Sequence, residues 1–300
     1  LIWEGNQVIG VDDFSRNQAP RHWMALPWRE TIDRETFLEG MESMLSGVDA
    51  VFHLGARTDT MATDKELIRH LNLEYSKRLW AACTKLGIPL LYASSAAVYG
   101  DGSLGYSDDP ELISQLRPLN LYGQSKLDFD VWVQEQSQGP PYYAGFRFFN
   151  VYGPGEGHKG RMASVMWHGY KQILQTGEIQ LFASDKEGIA HGEQKRDFIY
   201  VDDVVDCLIR QWKSPGASGI YNLGTGRARS FNDLARSLFA AMRAKEHILY
   251  IPMPAKLQGK YQYFTQADTQ NLRTKAGYAA PFTPLETGVA RYVDWLKTRG

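Results

Sequence analysis

Two side chains that could do acid–base chemistry, Tyr122 and Lys126, lie four residues apart in the stretch NLYGQSK over 120–126. Residues at this spacing share one face of a helix. A nearby ammonium favours the phenolate, so we expect Lys126 to lower the pKa of Tyr122 towards the range that suits a base. With 16 tyrosines in 300 residues, about one such spacing would arise by chance. The alternative is therefore a half-buried tyrosine beside a solvated lysine.

The segments around this pair alternate between strand and helix patterns. Continuous apolar runs predict buried strands over 7–11, 50–56, 89–96 and 142–153. Helical spacing predicts helices over 34–45, 64–87 and 119–136. Alternation of this kind is typical of an α/β fold with a doubly wound, parallel Rossmann-type sheet and helices on both faces.

A Rossmann-type sheet binds dinucleotides beyond the carboxyl ends of its strands, with a Gly-rich turn after the first strand. No GxxGxxG precedes Asp12, and the opening LIWEGNQVIG is interpreted as the end of a helix followed by the second strand. We expect the first strand, its Gly-rich turn and most of the first helix to be absent from this chain. The alternative is that the protein never had them.

The residues after the strand at 7–11 bear on which dinucleotide is bound. Asp12, followed by Asp13, is placed to accept a hydrogen bond from a ribose hydroxyl, which favours NAD. Arg16, Arg21 and Arg34 follow, and guanidinium groups suit the 2′-phosphate of NADP. Charge alone therefore leaves the choice between NAD and NADP open.

After residue 153 the pattern loosens into a smaller α/β unit. We predict a helix over 161–177, a closing helix over 284–299, and short strands within IQLF, KRDFIYVDDV, GIYNLGTG and ILYIPMP. The predicted division is a dinucleotide-binding domain over 1–153 and a mainly substrate-binding domain over 154–300, with about 196–226 returning to the first. The segment 184–195, rich in Lys, Glu, Gly and His, is a candidate flexible flap.

The composition excludes several classes of protein. A net charge of −1 argues against a binder of nucleic acid held by bulk charge. The two cysteines, Cys83 and Cys207, lie outside any CxxC, which argues against a zinc site or a disulfide framework. No apolar run is long enough to span a membrane and no signal peptide opens the chain, so we expect a cytoplasmic protein.

Several motifs together are far more specific than the Tyr–Lys pair. HLGA (53–56), YASSAAVYG (92–100), YGQSK (122–126), RFFNVYGPGEG (147–157), RDFIYVDDV (196–204) and YNLGTG (221–226) occur in this order. The chain resembles the extended short-chain dehydrogenase/reductase family, the NAD-dependent epimerases and dehydratases, which act mainly on nucleotide sugars. Within it, GEGHKGRMASVMWH (155–168) and YIPMPAKLQGKYQYFTQAD (250–268) resemble the epimerases that invert C6 of an ADP-heptose.

The resemblance implies a role for each residue that matches a family motif. The catalytic residues would be Ser95, Tyr122, Lys126 and Lys159. The cofactor-binding residues would be Asp12, Asp13, Arg34, Leu54, Gly55, Ala56, Arg57, Thr58, Asn72, Lys126 and Val151. The substrate-binding residues would be Ser95, Asn150, Arg161, His168, Phe182, Ala183, Ser184, Asp185, Arg196 and Tyr261.

The resemblance also implies the partners and shows two departures from the family pattern. The implied cofactor is NADP, or NAD in its place, the substrate is an ADP-heptose, and the protein is a homo-oligomer with no nucleic acid or membrane partner. Arg161 stands where the family usually has a serine that contacts substrate, and the loop between 185 and 196 is longer than usual. Both departures affect the shape of the sugar pocket rather than the chemistry.

The chemistry of a C6 epimerase follows from its substrate. C6 of a heptose is not adjacent to a carbonyl, so its hydrogen is too weakly acidic to leave as a proton. Oxidation to a ketone and reduction on the opposite face is the accessible route. Because inversion presents the hydroxyl in two orientations, Tyr122 and Lys159 could each serve one epimer. Lys126 would hold the nicotinamide ribose, and Ser95 would hydrogen-bond the reacting oxygen.

Several of these residues also have a structural interpretation. Lys159 lies in a Gly-rich loop, where a lysine is often only solvated, and His168 lies on an amphipathic helix, where a core histidine is the alternative to a ligand. Arg196 precedes an apolar strand, and its fork suits a diphosphate. We interpret His53 and Ser94 as structural.

Two competing functions remain open. The first is a related nucleotide-sugar 4-epimerase or 4,6-dehydratase; a dehydratase would have an acid beside Ser95, where this chain has Ala96 and Ala97. The second is a non-catalytic nucleotide-binding protein on the same fold, which an absent Gly-rich turn would favour. The joint presence of a serine, a tyrosine and two lysines at the family's catalytic positions argues against it.

Overall fold

The computed structural model describes residues 1–14, 25–255 and 261–299, so Arg16 and Arg21 lie outside the described residues. Four parallel strands, in the order β3-β4-β5-β9, form the central sheet. Their bounds are β3 Val51–His53, β4 Leu90–Ser95, β5 Tyr143–Phe148 and β9 Gly219–Leu223. Because the strands are parallel, their carboxyl ends share one edge, and the residues that follow β3, β4 and β5 meet there.

A second parallel sheet has two strands, β1 Ile9–Asp12 and β2 Glu30–Asp33, and pairs with no other strand of the described chain. Strand β1 confirms the prediction at 7–11, and the short 3-10 turn Ile2–Glu4 precedes it. Strand β2 was not predicted, because ETID is too polar to show a buried-strand pattern. Asp33 then caps helix α1, Arg34–Met44, by accepting a hydrogen bond from the Glu35 amide.

The helix predicted over 64–87 is present, but its middle is wound differently. It runs as α2 Lys65–Ile68, a π-helical segment Arg69–Glu74 and α3 Tyr75–Leu86, and ends at Gly87 in a left-handed conformation. Single π turns inside α-helices are frequent at functional sites. Here the wider turn carries Asn72, whose side chain leaves the helix to bind the loop after β3.

Helix α4, Leu121–Gln134, begins where its capping residue Asn120 accepts a hydrogen bond from the Gly123 amide. It confirms the helix predicted over 119–136 with slightly shorter ends. Gly123 is required by packing, because a Cβ there would lie 2.8 Å from the Ala97 carbonyl oxygen. The helix therefore lies backbone against backbone on the 3-10 segment Ala96–Tyr99 that follows β4.

The prediction of a single strand over 142–153 is wrong, because the chain switches sheets at Phe149. The Phe149 amide still bonds to Leu223 of β9, but the Val151 amide turns back onto the Phe149 carbonyl. The next strand, β6 Asn150–Tyr152, pairs with β8 Lys195–Tyr200 in another sheet. The break moves Asn150 and Val151 to the edge where the smaller unit meets the central sheet.

The smaller unit contains two short sheets and the remaining helices. The sheets are β10-β8-β6 and β11-β7, with β7 Ile179–Phe182, β10 Ala228–Ser230 and β11 Ile248–Ile251. The helices are α5 Val165–Thr176, α6 Val201–Lys213, α7 Phe231–Met242, α8 Gln270–Thr274 and α9 Leu285–Arg299. Helix α5 starts at its cap Ser164, because the preceding Gly157–Met162 is 3-10.

Helix α6 is the clearest difference in this half, since the sequence predicted only short strands within 195–204. The amphipathic spacing of VDDVVDCLIRQWK and its two first-turn acids could have indicated it. Of the segment 196–226, strand β9 joins the central sheet, whereas β8 belongs to the sheet β10-β8-β6. The division into 1–153 and 154–300 stays a prediction. Within the described residues, no helix is long and apolar enough to cross a membrane.

Candidate active site

Tyr122 and Ser95 come together at the carboxyl end of β4. Ser95 is the last residue of β4; its hydroxyl accepts a hydrogen bond from the Ala97 amide at 3.2 Å and lies near enough to the Tyr122 phenol to affect its pKa. Burial raises the pKa of Tyr122, while the Ser95 hydroxyl lowers it. The expectation that Lys126 lowers the pKa of Tyr122 is wrong for this structure, because the Lys126 ammonium is directed to a backbone carbonyl.

Lys126 lies one helical turn beyond Tyr122 and is only 5% exposed. Its Nζ donates to the Ala93 carbonyl oxygen of β4 at 2.7 Å. Burial lowers the pKa of Lys126 to about 8, and the negative charge of Asp130 opposes that shift. The spacing of four thus brings both side chains to the end of β4, although the lysine contacts the strand rather than the phenol.

The loop after β3, residues 54–58, is held open by Asn72. The Asn72 side chain accepts from the Arg57 amide at 2.8 Å and donates to the Arg57 carbonyl at 3.0 Å. Its amide also donates to the Ser125 hydroxyl of α4 at 2.9 Å. The loop predicted to contact the cofactor is therefore fastened to the helix that carries Tyr122 and Lys126, with Leu54 and Gly55 exposed at its start.

The same loop contains a buried donor without a partner. The Nε of Arg57 is inaccessible and has no hydrogen bond within the described residues, although another nitrogen of the same guanidinium lies 3.9 Å from Asp59. Ala56 is half-buried and Thr58 is exposed beside it. An oxygen atom of a bound ligand would supply the acceptor that this buried guanidinium donor lacks. Leu54 of the same loop exposes an apolar side chain.

At the end of the second sheet, three predicted cofactor residues meet. Asp12 ends β1, Asp13 follows it, and Arg34 starts α1 directly after β2. An Arg34 guanidinium nitrogen lies 3.3 Å from the Asp13 carboxylate, and the Arg34 Nε lies 3.1 Å from Glu35. Parallel pairing of β1 with β2 is what places these charges at one edge.

On the opposite side of the site, Lys159 and Arg161 lie in the 3-10 segment Gly157–Met162, and both are exposed. Arg161 donates to the Asp59 carboxylate at 2.8 Å, so the pair spans from this segment to the loop after β3. Hydrogen bonding, first from the Met61 amide and then from Arg161, holds the pKa of Asp59 below its usual value. The predicted substrate residue Arg161 is thus engaged with protein.

The buried Glu156, which sequence reasoning missed, anchors the segment that carries Lys159. Its carboxylate accepts from the Ser164 amide at 2.7 Å and from the Ser164 hydroxyl at 2.6 Å. His168 follows one turn into α5, half-buried, with its ring 5.0 Å from the Trp167 ring.

Arg196, the predicted diphosphate residue, is 6% exposed and stacks on aromatic rings. Its guanidinium carbon lies 4.9 Å from the centre of the Tyr261 ring, and Tyr261 in turn meets Phe182 edge-on at 6.5 Å. Burial lowers the pKa of Arg196, and the charges acting against that shift come from Tyr261 and Tyr106 rather than from a described carboxylate. The structure therefore brings Arg196, Tyr261 and Phe182 together, as the sequence predicted.

The segment 184–195 is fastened to its neighbours, unlike the flexible flap that the sequence suggested. Asn232 of α7 donates to the His191 carbonyl at 3.1 Å and to the Glu193 carboxylate at 2.7 Å. The Ser184 amide donates to the His191 ring, and Asp185 bonds to the Tyr263 hydroxyl. These contacts hold the four residues 182–185, including the half-buried Ala183, beside Arg196 and Tyr261.

A buried polar network behind Lys126 was missed by sequence reasoning. Asp130 and Arg147 form an ion pair at 2.9 Å; Arg147 also donates to the Tyr99 hydroxyl at 3.0 Å, and Tyr99 donates to Asn222 at 2.6 Å. An arginine inside the apolar strand YAGFRF was the available signal, because a buried guanidinium needs an anionic partner. Ser94 donates to Asp130, which agrees with its structural interpretation.

His53 has the structural environment that the sequence predicted. Its Nε2 lies 2.8 Å from the Ser76 hydroxyl, which itself donates to the Asn72 carbonyl. Since that hydroxyl has one proton to donate, the His53 Nε2 must carry a hydrogen and donate to it. Burial, with the nearby charge of Lys126, lowers the pKa of His53 to about 3.

Comparison with known proteins gives consistent matches. A sequence model described as the NAD dependent epimerase/dehydratase family matches residues 1–224. An ADP-L-glycero-D-manno-heptose-6-epimerase from Fusobacterium nucleatum is 43% identical, covering 98% of this chain and 93% of that protein. The crystal structure of the Helicobacter pylori ADP-L-glycero-D-manno-heptose-6-epimerase is 26% identical with a TM-score of 0.80, covering 97% of this chain and 88% of that one. MoeE5, solved with UDP-glucuronic acid and NAD, is 25% identical with a TM-score of 0.76, and the match covers 99% of this chain and 93% of the MoeE5 chain.

Proposed function

Because the chain belongs to the NAD-dependent epimerase/dehydratase family, we propose that it inverts C6 of an ADP-heptose. The substrate would be ADP-D-glycero-D-manno-heptose and the product ADP-L-glycero-D-manno-heptose. The reaction would pass through a 6-ketone and use a nicotinamide cofactor that is unchanged overall. The choice of substrate rests on the similarity to the Fusobacterium nucleatum ADP-L-glycero-D-manno-heptose-6-epimerase, which aligns over 98% of this chain.

The single structural observation that carries the reaction class is that the Ser95 hydroxyl lies near enough to the Tyr122 phenol to affect its pKa, with Lys126 one turn away. A phenol paired with a hydroxyl at the carboxyl end of a parallel strand can take a proton from a substrate alcohol and return it. Ser95 would orient the reacting oxygen of the substrate towards the Tyr122 phenol. General acid–base catalysis of this kind contributes about 10²–10⁴-fold.

The residues around the loop after β3 fit a nicotinamide dinucleotide. The orphaned buried Nε of Arg57 is a donor that a cofactor oxygen would satisfy, and the exposed Leu54 offers an apolar face to a flat ring. Lys126 would donate to the nicotinamide ribose. When bound, a nicotinamide accepts a hydride from carbon and returns it, which is the redox capacity that C6 inversion needs.

We further infer that the cofactor is NADP, with Arg34 binding the 2′-phosphate. Its guanidinium lies at the edge where a ribose would meet Asp12 and Asp13. A guanidinium binds a phosphate, which accepts two hydrogen bonds, better than it binds a single hydroxyl. Gly55, Ala56, Thr58, Asn72 and Val151 would complete the cofactor site.

Inversion requires the ketone to present its other face, and Lys159 is proposed as the acid–base group for the second epimer. It lies on the exposed segment anchored by Glu156, and Arg161 of that segment bonds to Asp59 just beyond the loop after β3. Asn150 and His168 would contact the sugar. Arg196, stacked on Tyr261, would bind the diphosphate, with Phe182, Ala183, Ser184 and Asp185 beside it.

The remaining expectations stay predictions: the two-domain division, a cytoplasmic location and a homo-oligomeric state. The function is tested by incubating the purified protein with ADP-D-glycero-D-manno-heptose and NADP, then resolving the two C6 epimers by chromatography. We expect conversion to a mixture of both, and none with Tyr122→Phe. An unchanged substrate, with folded protein and bound cofactor, would favour another nucleotide sugar or a binding role.

A further inference from the structure

Asp130 is a buried charge that the proposed catalytic scheme does not use. It lies one turn after Lys126 on α4 and is 0% exposed. Its Oδ2 accepts from the Arg147 Nε at 2.9 Å and from the Ser94 hydroxyl at 2.8 Å. Arg147 and Ser94 belong to neighbouring strands, so the carboxylate is fixed from two sides.

Lys126 depends on the same strand that fixes Asp130. Its Nζ bonds to the carbonyl of Ala93, and Ser94, the next residue of β4, bonds to the Asp130 carboxylate. The lysine and the aspartate share one face of α4 at the spacing of four residues. A shift of Asp130 would therefore displace both the charge beside Lys126 and the stretch of strand that receives its hydrogen bond.

The ionisable groups facing this pair come from three strands and the helix itself. From β3, His53 faces Lys126 and is neutral. From β4, Tyr92 lies 3.5 Å from Asp130, and from β5, Arg147 faces Asp130. On α4, Tyr122 precedes Lys126, and beyond Arg147 lies the Tyr99 hydroxyl. Among these described groups, Asp130 is the carboxylate that balances the charges of Lys126 and Arg147.

We propose that Asp130 is a positioning residue for Lys126, keeping its side chain an ammonium and in its hydrogen bond to Ala93. The inference rests on the proposed function, in which Lys126 acts as a cation on the cofactor ribose and beside Tyr122. Asp130 itself touches neither substrate nor cofactor in this scheme.

The physical reason is charge balance between two buried side chains. Burial already weakens the charged form of Lys126, and the attraction of Asp130 counteracts this. Without Asp130 the attraction that favours the ammonium of Lys126 is lost, while the cost of burying that charge remains. Lys126 is then the group that becomes neutral, and a neutral amine is a weaker hydrogen-bond donor to the cofactor ribose.

The test compares Asp130→Asn with the wild type by two measurements. The amide of asparagine keeps the shape and one acceptor oxygen but removes the charge. NMR of protein labelled with ¹³C at lysine Cε gives the titration midpoint of Lys126, identified by its loss in Lys126→Met. The second measurement is the pH profile of kcat/KM for the epimerisation.

We expect the Lys126 midpoint of Asp130→Asn to fall by about one pH unit or more, with the alkaline limb of kcat/KM moving by the same amount. Asp130→Glu, which restores the charge, should return both towards the wild type. Asp128→Asn is the matched control, because Asp128 bonds to Gln124 away from Lys126; it should change neither. Should Asp130→Asn fail to fold, Asp130→Ser, which leaves room for water, replaces it.

An unchanged midpoint in the uncharged variant would overturn the proposal, and so would a lowered midpoint with an unmoved alkaline limb. The NMR titration needs no substrate, so it separates this inference from the proposed function. If the wild type fails to epimerise the ADP-heptose while the midpoint still falls, the reaction assignment fails and the role of Asp130 towards Lys126 stands.

Discussion

The guanidinium of Arg196 lies over the Tyr261 ring, with 4.9 Å between its central carbon and the ring centre. Its Nη1 donates to the Lys195 carbonyl at 2.9 Å, and within the described residues its guanidinium has no other hydrogen bond, so further donors face a prospective ligand. A buried cation stacked on an aromatic ring is well suited to a diphosphate, since the stacking holds the plane while the edge stays free to donate.

Arg196→Lys is expected to raise KM for the ADP-heptose about tenfold or more, with a smaller effect on kcat. Lysine keeps the charge but loses the planar fork and the stacking, and hydrogen bonds to charged groups contribute about 1.5–3 kcal/mol. Steady-state kinetics check this, with Arg210→Lys as control because Arg210 pairs with Asp206 on the surface of α6. An unaltered KM would remove Arg196 from the diphosphate site.

Lys159→Met is expected to lower kcat in at least one direction by about 10²-fold or more, with little change in thermal stability. Lys159 is exposed, so its loss should leave packing intact while removing one of the two acid–base groups. Rates in both directions from each purified epimer check this. The control is Lys186→Met, because Lys186 is exposed and lies over the Tyr263 ring. Near-full activity of Lys159→Met in both directions would refute the two-base scheme.

The hydrogen on C6 is expected to be retained when the reaction runs to equilibrium in D₂O. Without an adjacent carbonyl, this hydrogen cannot leave as a proton at a useful rate, so the ketone must receive the same hydrogen on its other face. Mass spectrometry and NMR of the recovered epimers measure deuterium at C6, with negligible incorporation expected. Stoichiometric deuterium there would mean direct deprotonation, and the roles given to Tyr122 and Lys126 would fall with it.

His53→Gln is expected to flatten the loss of stability in acid. The pKa of His53 is lowered to about 3 in the folded protein, below its unfolded value of 6.5, first by burial and then by Lys126. Between these values the unfolded chain binds a proton that the folded one does not, so stability falls as pH drops, by at most about 1.4 kcal/mol per pH unit.

Urea unfolding of the His53→Gln variant and the wild type at pH 7, 5 and 4 measures this slope. Glutamine keeps a donor for the Ser76 hydroxyl, so the variant should remain folded at pH 7. The exposed His158 provides the matched control, and His158→Gln should keep the wild-type slope. Equal slopes for all three proteins would show that His53 charges freely in the folded state.

The sequence by itself determined the architecture and the family, and it supplied the proposal for the reacting groups. Continuous apolar runs are typical of strands covered on both faces, and a spacing of four puts Tyr122 and Lys126 on one helix face. Motif order then related the chain to its family, and the match over residues 1–224 confirms that prediction. These features are local, or repeat along the chain, so a single sequence contains them.

Only the tertiary structure decided which charges face one another. The approach of Asp130 to Arg147 and of Arg161 to Asp59 depends on how strands and loops far apart in sequence pack. The same holds for the break at Phe149, where an apolar run divides between two sheets because its backbone finds partners in both. The pKa of Tyr122 rises rather than falls for this reason: burial and the direction of the Lys126 ammonium are set by the packing of α4 on β4, not by the spacing of four.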